Sequence, residues 1–210
     1  MTKQPIEFYF DISSPWTYLA FHNIQPLAAE LKTPVIWKPI LVGGIFNSVN
    51  PSVYAMREKP VPLKQTYMLK DLQDWAREAN LKIVMPPKMF PVNSVKAMRA
   101  CIWLAQEAGD SSAMLPLATA AFEAYWAREA DISQDDVLAG LCELCGINVK
   151  AFFEGIGQPA IKEQLKSNTE EVIRRGGFGS PTMFVGDDMF FGNDRLPLLR
   201  STLQRISTKV

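Results

Sequence analysis

The residues of this chain best suited to chemistry stand near its two ends. Close to the start, Ser13-Ser14-Pro15-Trp16-Thr17 follows an apolar run and opens a stretch with helical spacing. A serine followed by proline at a helix start has a complete structural explanation: Ser14 caps the helix, and Pro15 fills the first helical position, where a missing N–H costs nothing. The same geometry also favours an anion, because first-turn N–H groups and the positive dipole end both point at it. A thiolate is the anion of most chemical interest there. Ser14 and Thr17 occupy the two positions where a Cys-Pro-x-Cys motif would carry its thiols, so any thiolate must arrive with a ligand.

Near the other end, Gly179-Ser180-Pro181-Thr182 introduces a second β-rich run, and Gly192-Asn193-Asp194-Arg195 precedes a last helical pattern. A strand-initial proline is ordinary, since the first position tolerates a missing donor. Asn193 or Asp194 is expected to cap the last helix. The functional alternative is that the Asp194 carboxylate and nearby helix N–H groups hold the ammonium and carboxylate of an amino-acid moiety.

The remaining composition excludes more than it proposes. With a single histidine, His22, a zinc site built on several histidines is impossible, and we expect this residue to be an ordinary member of the first helix. Cys142 and Cys145 form one CxxC at helical spacing, too little for zinc, and with Cys101 they read as structural thiols of a reducing compartment. Lysine plus arginine equals aspartate plus glutamate, 22 each, so no global field attracts nucleic acid or an acidic membrane. Arg174-Arg175 reads as a solvated helix end. No leader-like segment or long apolar span is visible, so a cytoplasmic setting is expected.

The elements that must position these residues follow from periodicity. "IEFYFDI" reads as a strand, Ser14 to Leu31 as a helix with a bend at Pro26, and "TPVIWKPIL" as a second strand, together a βαβ unit with a parallel pair. A glycine- and proline-marked loop, "VGGIFNSVNPSVYAMREKPVP", comes next. Helical faces then follow for about a hundred residues: Tyr67, Leu72, Trp75, Ala76; Met98, Cys101, Ile102; Leu115, Ala118, Phe122; Val137, Leu141, Leu144; Ile161, Leu165, Val172. "PTMFVG", a turn at Asp187-Asp188 and "MFF" form a hairpin, and "DRLPLLRSTLQRI" a final helix.

Stripped of its helical insert, β-α-β … β-β-α is the connectivity of the thioredoxin fold, here an α/β fold interrupted by a large helical insertion. The expected division is residues 1–45 with 177–210 as the thioredoxin-like domain, and 46–176 as the insertion. In such a fold the Ser180-Pro181 bond is cis and faces the start of the first helix, leaving the Ser180 backbone free to pair with a peptide-like ligand.

"FYFDISSPWTYLAF", "LKQTYMLKDLQDWA", "FPVNSVKAMRA" and "GGFGSPTMFVGDDMFFGNDRL" resemble the 2-hydroxychromene-2-carboxylate isomerases and the similar kappa-class glutathione transferases, over essentially the whole chain. The resemblance implies a glutathione-dependent enzyme, usually a homodimer. By position, Ser14 matches the serine that activates the glutathione sulfur. Ser180, before cis Pro181, matches the residue that pairs with the cysteinyl backbone. Gly192, Asn193 and Asp194 match the γ-glutamyl site, and Lys64 a lysine near the glycine carboxylate. Asn50 matches an asparagine beside the ligand, with Asn47 as the alternative. Trp16 and Phe46 would wall a slot for an aromatic keto acid, and Lys38 would be its cation. The implied reaction is isomerisation; a transferase or peroxidase acting on other electrophiles is the runner-up. A disulfide oxidoreductase of the DsbA type and a binding module without activity are further alternatives.

Overall fold

The structure, a computed structural model, describes residues 4–208. Strand β1 (Ile6–Phe10) leads into helix α1 (Pro15–Leu31) and strand β2 (Val35–Pro39). The pair is parallel, in register from Ile6 opposite Val35 to Phe10 opposite Pro39, as the βαβ reading expects. Helices α2 (Val42–Val49), α3 (Ser52–Glu58), α4 (Pro62–Glu78), α5 (Val95–Ala108), α6 (Met114–Trp126), α7 (Asp135–Leu144), α8 (Val149–Ile156) and α9 (Pro159–Arg174) follow. Strands β3 (Thr182–Val185) and β4 (Asp188–Phe191), a 3₁₀ turn over Asn193–Arg195 and helix α10 (Leu196–Thr208) close the chain. The sheet order is β2-β1-β3-β4, with β3 antiparallel to both neighbours. This is the thioredoxin-like connectivity expected from the sequence, interrupted by helices.

Alternation along β1 sends its side chains to two different cores. Ile6, Phe8 and Phe10 are fully buried with α1, α5, α6 and α10 in the larger core, where Trp126, Tyr125 and Phe122 are among the largest fully buried helical side chains. Tyr9 points to the other face and packs with Phe184, Ile40, Ile45 and Val172 beneath α2 and α9. Helix α9 lies within the 46–176 segment of the sequence division, yet it covers the sheet.

Several elements differ from the sequence reading. The expected loop after β2 is two short helices. Gly43 and Gly44 are poor helix formers, but Val42 and Ile45 are buried, Ile45 against the Tyr9 face, and this packing overrides propensity. Helix α8, unassigned from periodicity because of its brevity, is capped by Asn148, whose side chain accepts from Ala151 N–H. The hairpin turn is Gly186-Asp187, not Asp187-Asp188: Val185 pairs with Asp188, and Gly186 takes the positive φ of 62° that a two-residue hairpin needs. Helix α1 runs through Pro26. Leu144 and Tyr67, expected on buried faces, are 69% and 65% exposed. No helix among the described residues is long and apolar enough to cross a membrane.

Candidate active site

Ser14 is the N-cap of α1, with extended backbone and its Oγ accepting from Thr17 N–H at 3.2 Å, while Pro15 takes the first helical position. The hydroxyl proton points across to the carbonyl of Ser180 at 3.2 Å. The Ser180-Pro181 bond is cis, as the fold led us to expect. Its preceding backbone is not wholly free, however: the Ser180 carbonyl is taken up by Ser14. The Ser180 side chain is also engaged, its Oγ accepting from Asp11 N–H at 3.1 Å and sharing a 2.8 Å hydrogen bond with Thr17 Oγ1. Thr17 is fully buried. The position that a second cysteine would hold therefore carries a hydroxyl clamp between helix and cis-proline turn.

The segment from Asp11 to Ser14 is held on every side. Asp11, 1% exposed, accepts from Ser13 N–H at 2.9 Å and from Val42 N–H, at the first residue of α2, at 2.8 Å. Burial nevertheless pushes its carboxyl above the usual range, against the lowering effect of these bonds. Trp126 Nε1–H donates to the Ile12 carbonyl at 2.8 Å, and Ile12 N–H reaches the Met98 sulfur at 3.4 Å. Sequence reading assigned no task to Asp11, although it belongs to the Asp-x-x-Ser-Pro motif. Its spacing from Ser13, an Asx-type turn before a helix cap, was the available signal.

At the far end, Gly192 and not Asn193 or Asp194 stands at the N-cap position of the 3₁₀ turn, and no side chain caps it. With φ at 102°, an added Cβ would lie 2.7 Å from Asp194 Oδ1, so glycine is required there. Asn193 is 4% exposed; its Oδ1 accepts from Asn23 Nδ2–H on α1 at 3.0 Å, and its own Nδ2 is buried without a partner. Asp194 is exposed and pairs with Arg195 at 2.5 Å. The expected caps are thus an unpaired buried donor and a surface carboxylate, joined to α1 through Asn23, a residue that sequence reading missed.

The other expected site residues divide. Asn50 reaches the cis-proline segment, donating from Nδ2 to the Phe178 carbonyl at 3.0 Å, whereas Asn47 accepts from Tyr54 at 2.7 Å. Phe46 lies beside Gly179, within 4.0 Å of where a Cβ would stand. Trp16 is half-buried against the larger core. Lys64 is exposed in the first turn of α4 and makes no ion pair among the described residues. Lys38 is not brought to Ser14. It sits on the Tyr9 face of the sheet, bonded to Glu171 at 2.9 Å and 4.0 Å from Glu7, so its charge is already answered.

Arg175 corrects another expectation. Far from a solvated helix end, it bonds Glu7 at 2.9 Å, the Tyr9 hydroxyl at 3.0 Å and the Gly186 carbonyl at 2.7 Å, and lies 3.7 Å over the Phe184 ring. His22 is exposed on α1 and takes no part in the Ser14 group. The three cysteines are free; burial pushes the Cys101 thiol up to about 12 and the Cys142 thiol up to about 11. Neither behaves as a nucleophile at neutral pH.

The site so assembled presents a helix N-terminus with a capping hydroxyl, a cis-proline turn beside it, and a buried unpaired amide donor on Asn193, which is tied to the same helix through Asn23. A buried donor without a partner costs on the order of 1–3 kcal/mol, which a ligand acceptor would recover. The residues present therefore fit a peptide-like molecule bearing a thiol.

Comparison with known proteins agrees with this fold. The model of the DSBA-like thioredoxin domain matches residues 5–204. The chain is 30% identical over 203 residues to a 2-hydroxychromene-2-carboxylate isomerase of Sphingobium xenophagum, covering 97% of this chain and 99% of that protein. It is 28% identical over 206 residues to glutathione S-transferase kappa 2 of Caenorhabditis elegans, covering 93% and 89%. A solved structure of a 2-hydroxychromene-2-carboxylate isomerase superposes with a TM-score of 0.80 at 28% identity, over 97% of this chain and 96% of that one.

Proposed function

The chain belongs to the DSBA-like thioredoxin family, among relatives that are 2-hydroxychromene-2-carboxylate isomerases and kappa-class glutathione transferases, and from that footing we propose that it is a glutathione-dependent isomerase. The observation that carries this reading is the Ser14 hydroxyl. It is fixed as an N-cap by Thr17 N–H and holds its one proton towards a backbone carbonyl that a ligand could replace.

Bound glutathione would supply a thiolate that adds reversibly to a conjugated double bond, so that 2-hydroxychromene-2-carboxylate and trans-o-hydroxybenzylidenepyruvate interconvert through rotation about a temporarily single bond. The chain's own residues do the rest. Ser14 turns its proton from the Ser180 carbonyl to the sulfur, lowering the thiol pKa together with the α1 dipole. In this role Ser14 orients the nucleophile and is not itself attacked. The Ser180 carbonyl, once released, accepts from the cysteinyl N–H. Asn193 Nδ2 and Asp194 receive the γ-glutamyl carboxylate and ammonium, the latter in exchange for Arg195. Asn50 and Lys64 complete the glutathione contacts, and Trp16 and Phe46 face the second substrate.

A kappa-like transferase is the second reading, favoured by the identity to kappa-class relatives over nearly the whole chain. A DsbA-type oxidoreductase is disfavoured by Ser14 and Thr17 in place of two thiols. We further read the protein as a cytoplasmic homodimer acting in the breakdown of aromatic compounds. The apolar exposure of Leu63, Tyr67 and Met68 on α4 supports self-association. The test is to offer purified protein and glutathione the hydroxychromene acid and, separately, a chloronitrobenzene. Isomerisation without consumption of glutathione supports the first reading; stoichiometric conjugation supports the second.

A further inference from the structure

The cation expected at Lys38 is tied up elsewhere, and the structure offers another. Arg57, on α3, holds its guanidinium 5.8 Å from the centre of the Phe46 ring and 5.5 Å from that of Phe90. It makes no hydrogen bond or ion pair with any described residue, whereas Lys38, Arg175, Arg195 and Arg200 each meet a carboxylate. Each of these two rings leads back through one neighbour to the residues around Ser14. Phe46 stands against Gly179, next to Ser180. Phe90 packs on Trp126, whose indole N–H holds the Ile12 carbonyl. The Tyr125 hydroxyl, bonded to the Met89 carbonyl at 2.9 Å, lies within the fields of both Arg57 and Asp11. Arg57 therefore sits at the mouth of the Ser14 site, not on a remote surface.

At these distances the guanidinium is within cation–π range of both rings, while its five N–H donors meet no acceptor among the described residues. Two aromatic walls with a free fork between them match one ligand chemistry, a carboxylate carried on a flat conjugated or aromatic body. We propose that Arg57 is the specificity-determining residue for the carboxylate of an acidic aromatic co-substrate. The inference rests on the glutathione-dependent reading for its place in a reaction, but its own chemistry is separable from it. A carboxylate could also come from the glycine end of glutathione. The paired rings favour the aromatic source, since a glycyl terminus has no surface to lay against them.

The experiment compares cinnamate with its neutral counterpart cinnamamide as calorimetric ligands, without glutathione, for wild type, Arg57→Gln and Arg57→Lys. Glutathione is titrated in a separate arm. The expected result is that wild type prefers cinnamate and that Arg57→Gln loses roughly 10- to 100-fold in cinnamate affinity, the usual range for a hydrogen bond to a charged group. Cinnamamide and glutathione affinities stay unchanged, and Arg57→Lys recovers part of the loss. Equal loss for both ligands would make Arg57 a packing residue and overturn the proposal. So would weakened glutathione binding with cinnamate unaffected, which would assign Arg57 to the glycine carboxylate, or a wild type with no preference for the acid. Failure of wild type to bind glutathione would sink the proposed function alone, because the cinnamate arm is read without it.

Discussion

The Ser14 hydroxyl donates to the Ser180 carbonyl at 3.2 Å, joining the start of α1 to the cis-proline turn across 166 residues of sequence. This one bond pairs the capping hydroxyl with the cis-proline carbonyl in the resting site. A ligand thiolate must take the Ser14 proton, and a ligand N–H must take the Ser180 carbonyl, so both halves of the pair become available together. The arrangement couples sulfur binding to backbone pairing without a moving loop.

Thr17→Val removes the hydroxyl that Ser180 Oγ shares at 2.8 Å in a fully buried position. Ser180 Oγ still accepts from Asp11 N–H, but its own buried hydroxyl proton loses Thr17 Oγ1 as an acceptor. The expected loss is about 1–3 kcal/mol of stability, read from the shift in urea midpoint at constant slope. An unchanged midpoint would show that the clamp contributes nothing.

Asp11→Asn should change how stability depends on pH. The folded carboxyl titrates above its unfolded value of about 3.9 because it is buried. A group raised on folding contributes stability that is full below the unfolded pKa and is lost as pH rises through the folded one. Wild type therefore carries a term that declines on going from acid to neutral pH, and the asparagine variant lacks it. The asparagine also gives up one acceptor of the Ser13 and Val42 N–H groups. Urea unfolding across that window should find the wild-type advantage largest in acid and shrinking as pH rises. An advantage that grows with pH would contradict the assignment.

Lys38→Met tests the opposite sign. Burial raises the Glu171 carboxyl, but Lys38, Tyr9 and Arg175 together outweigh it and hold the carboxyl below its ordinary value. Stability from this pair is present above the unfolded carboxylate range and is lost as pH falls through the folded pKa. With both side chains about a quarter exposed, the substitution should cost about 1 kcal/mol or less, a gap that closes on acidification. Cinnamate affinity should not change. A variant as stable as wild type that loses the acid would return Lys38 to the substrate site.

Much of this was legible in the sequence because local rules and tertiary demands agree at the ends of the chain. Ser14-Pro15 reads as a helix start for reasons that survive folding, and the βαβ unit is written in periodicity. The middle was harder. Gly43 and Gly44 argue against a helix that Ile45 and Val42 impose by packing. Lys38 looked available because Glu7 and Glu171 meet it only through the sheet register and α9. Asn23 and Arg57 gave no signal at all, since their partners, Asn193, Phe46 and Phe90, are set by the fold and not by spacing.

The most direct test of the account is a calorimetric titration of the protein with glutathione across pH, in wild type and Ser14→Ala. The expected result is saturable binding with proton release near neutral pH in wild type, and binding that is weaker and releases no proton in the variant. Binding of equal strength and equal proton release in both would leave Ser14 as a helix cap alone, and no binding by wild type at millimolar glutathione would contradict the thiolate site altogether.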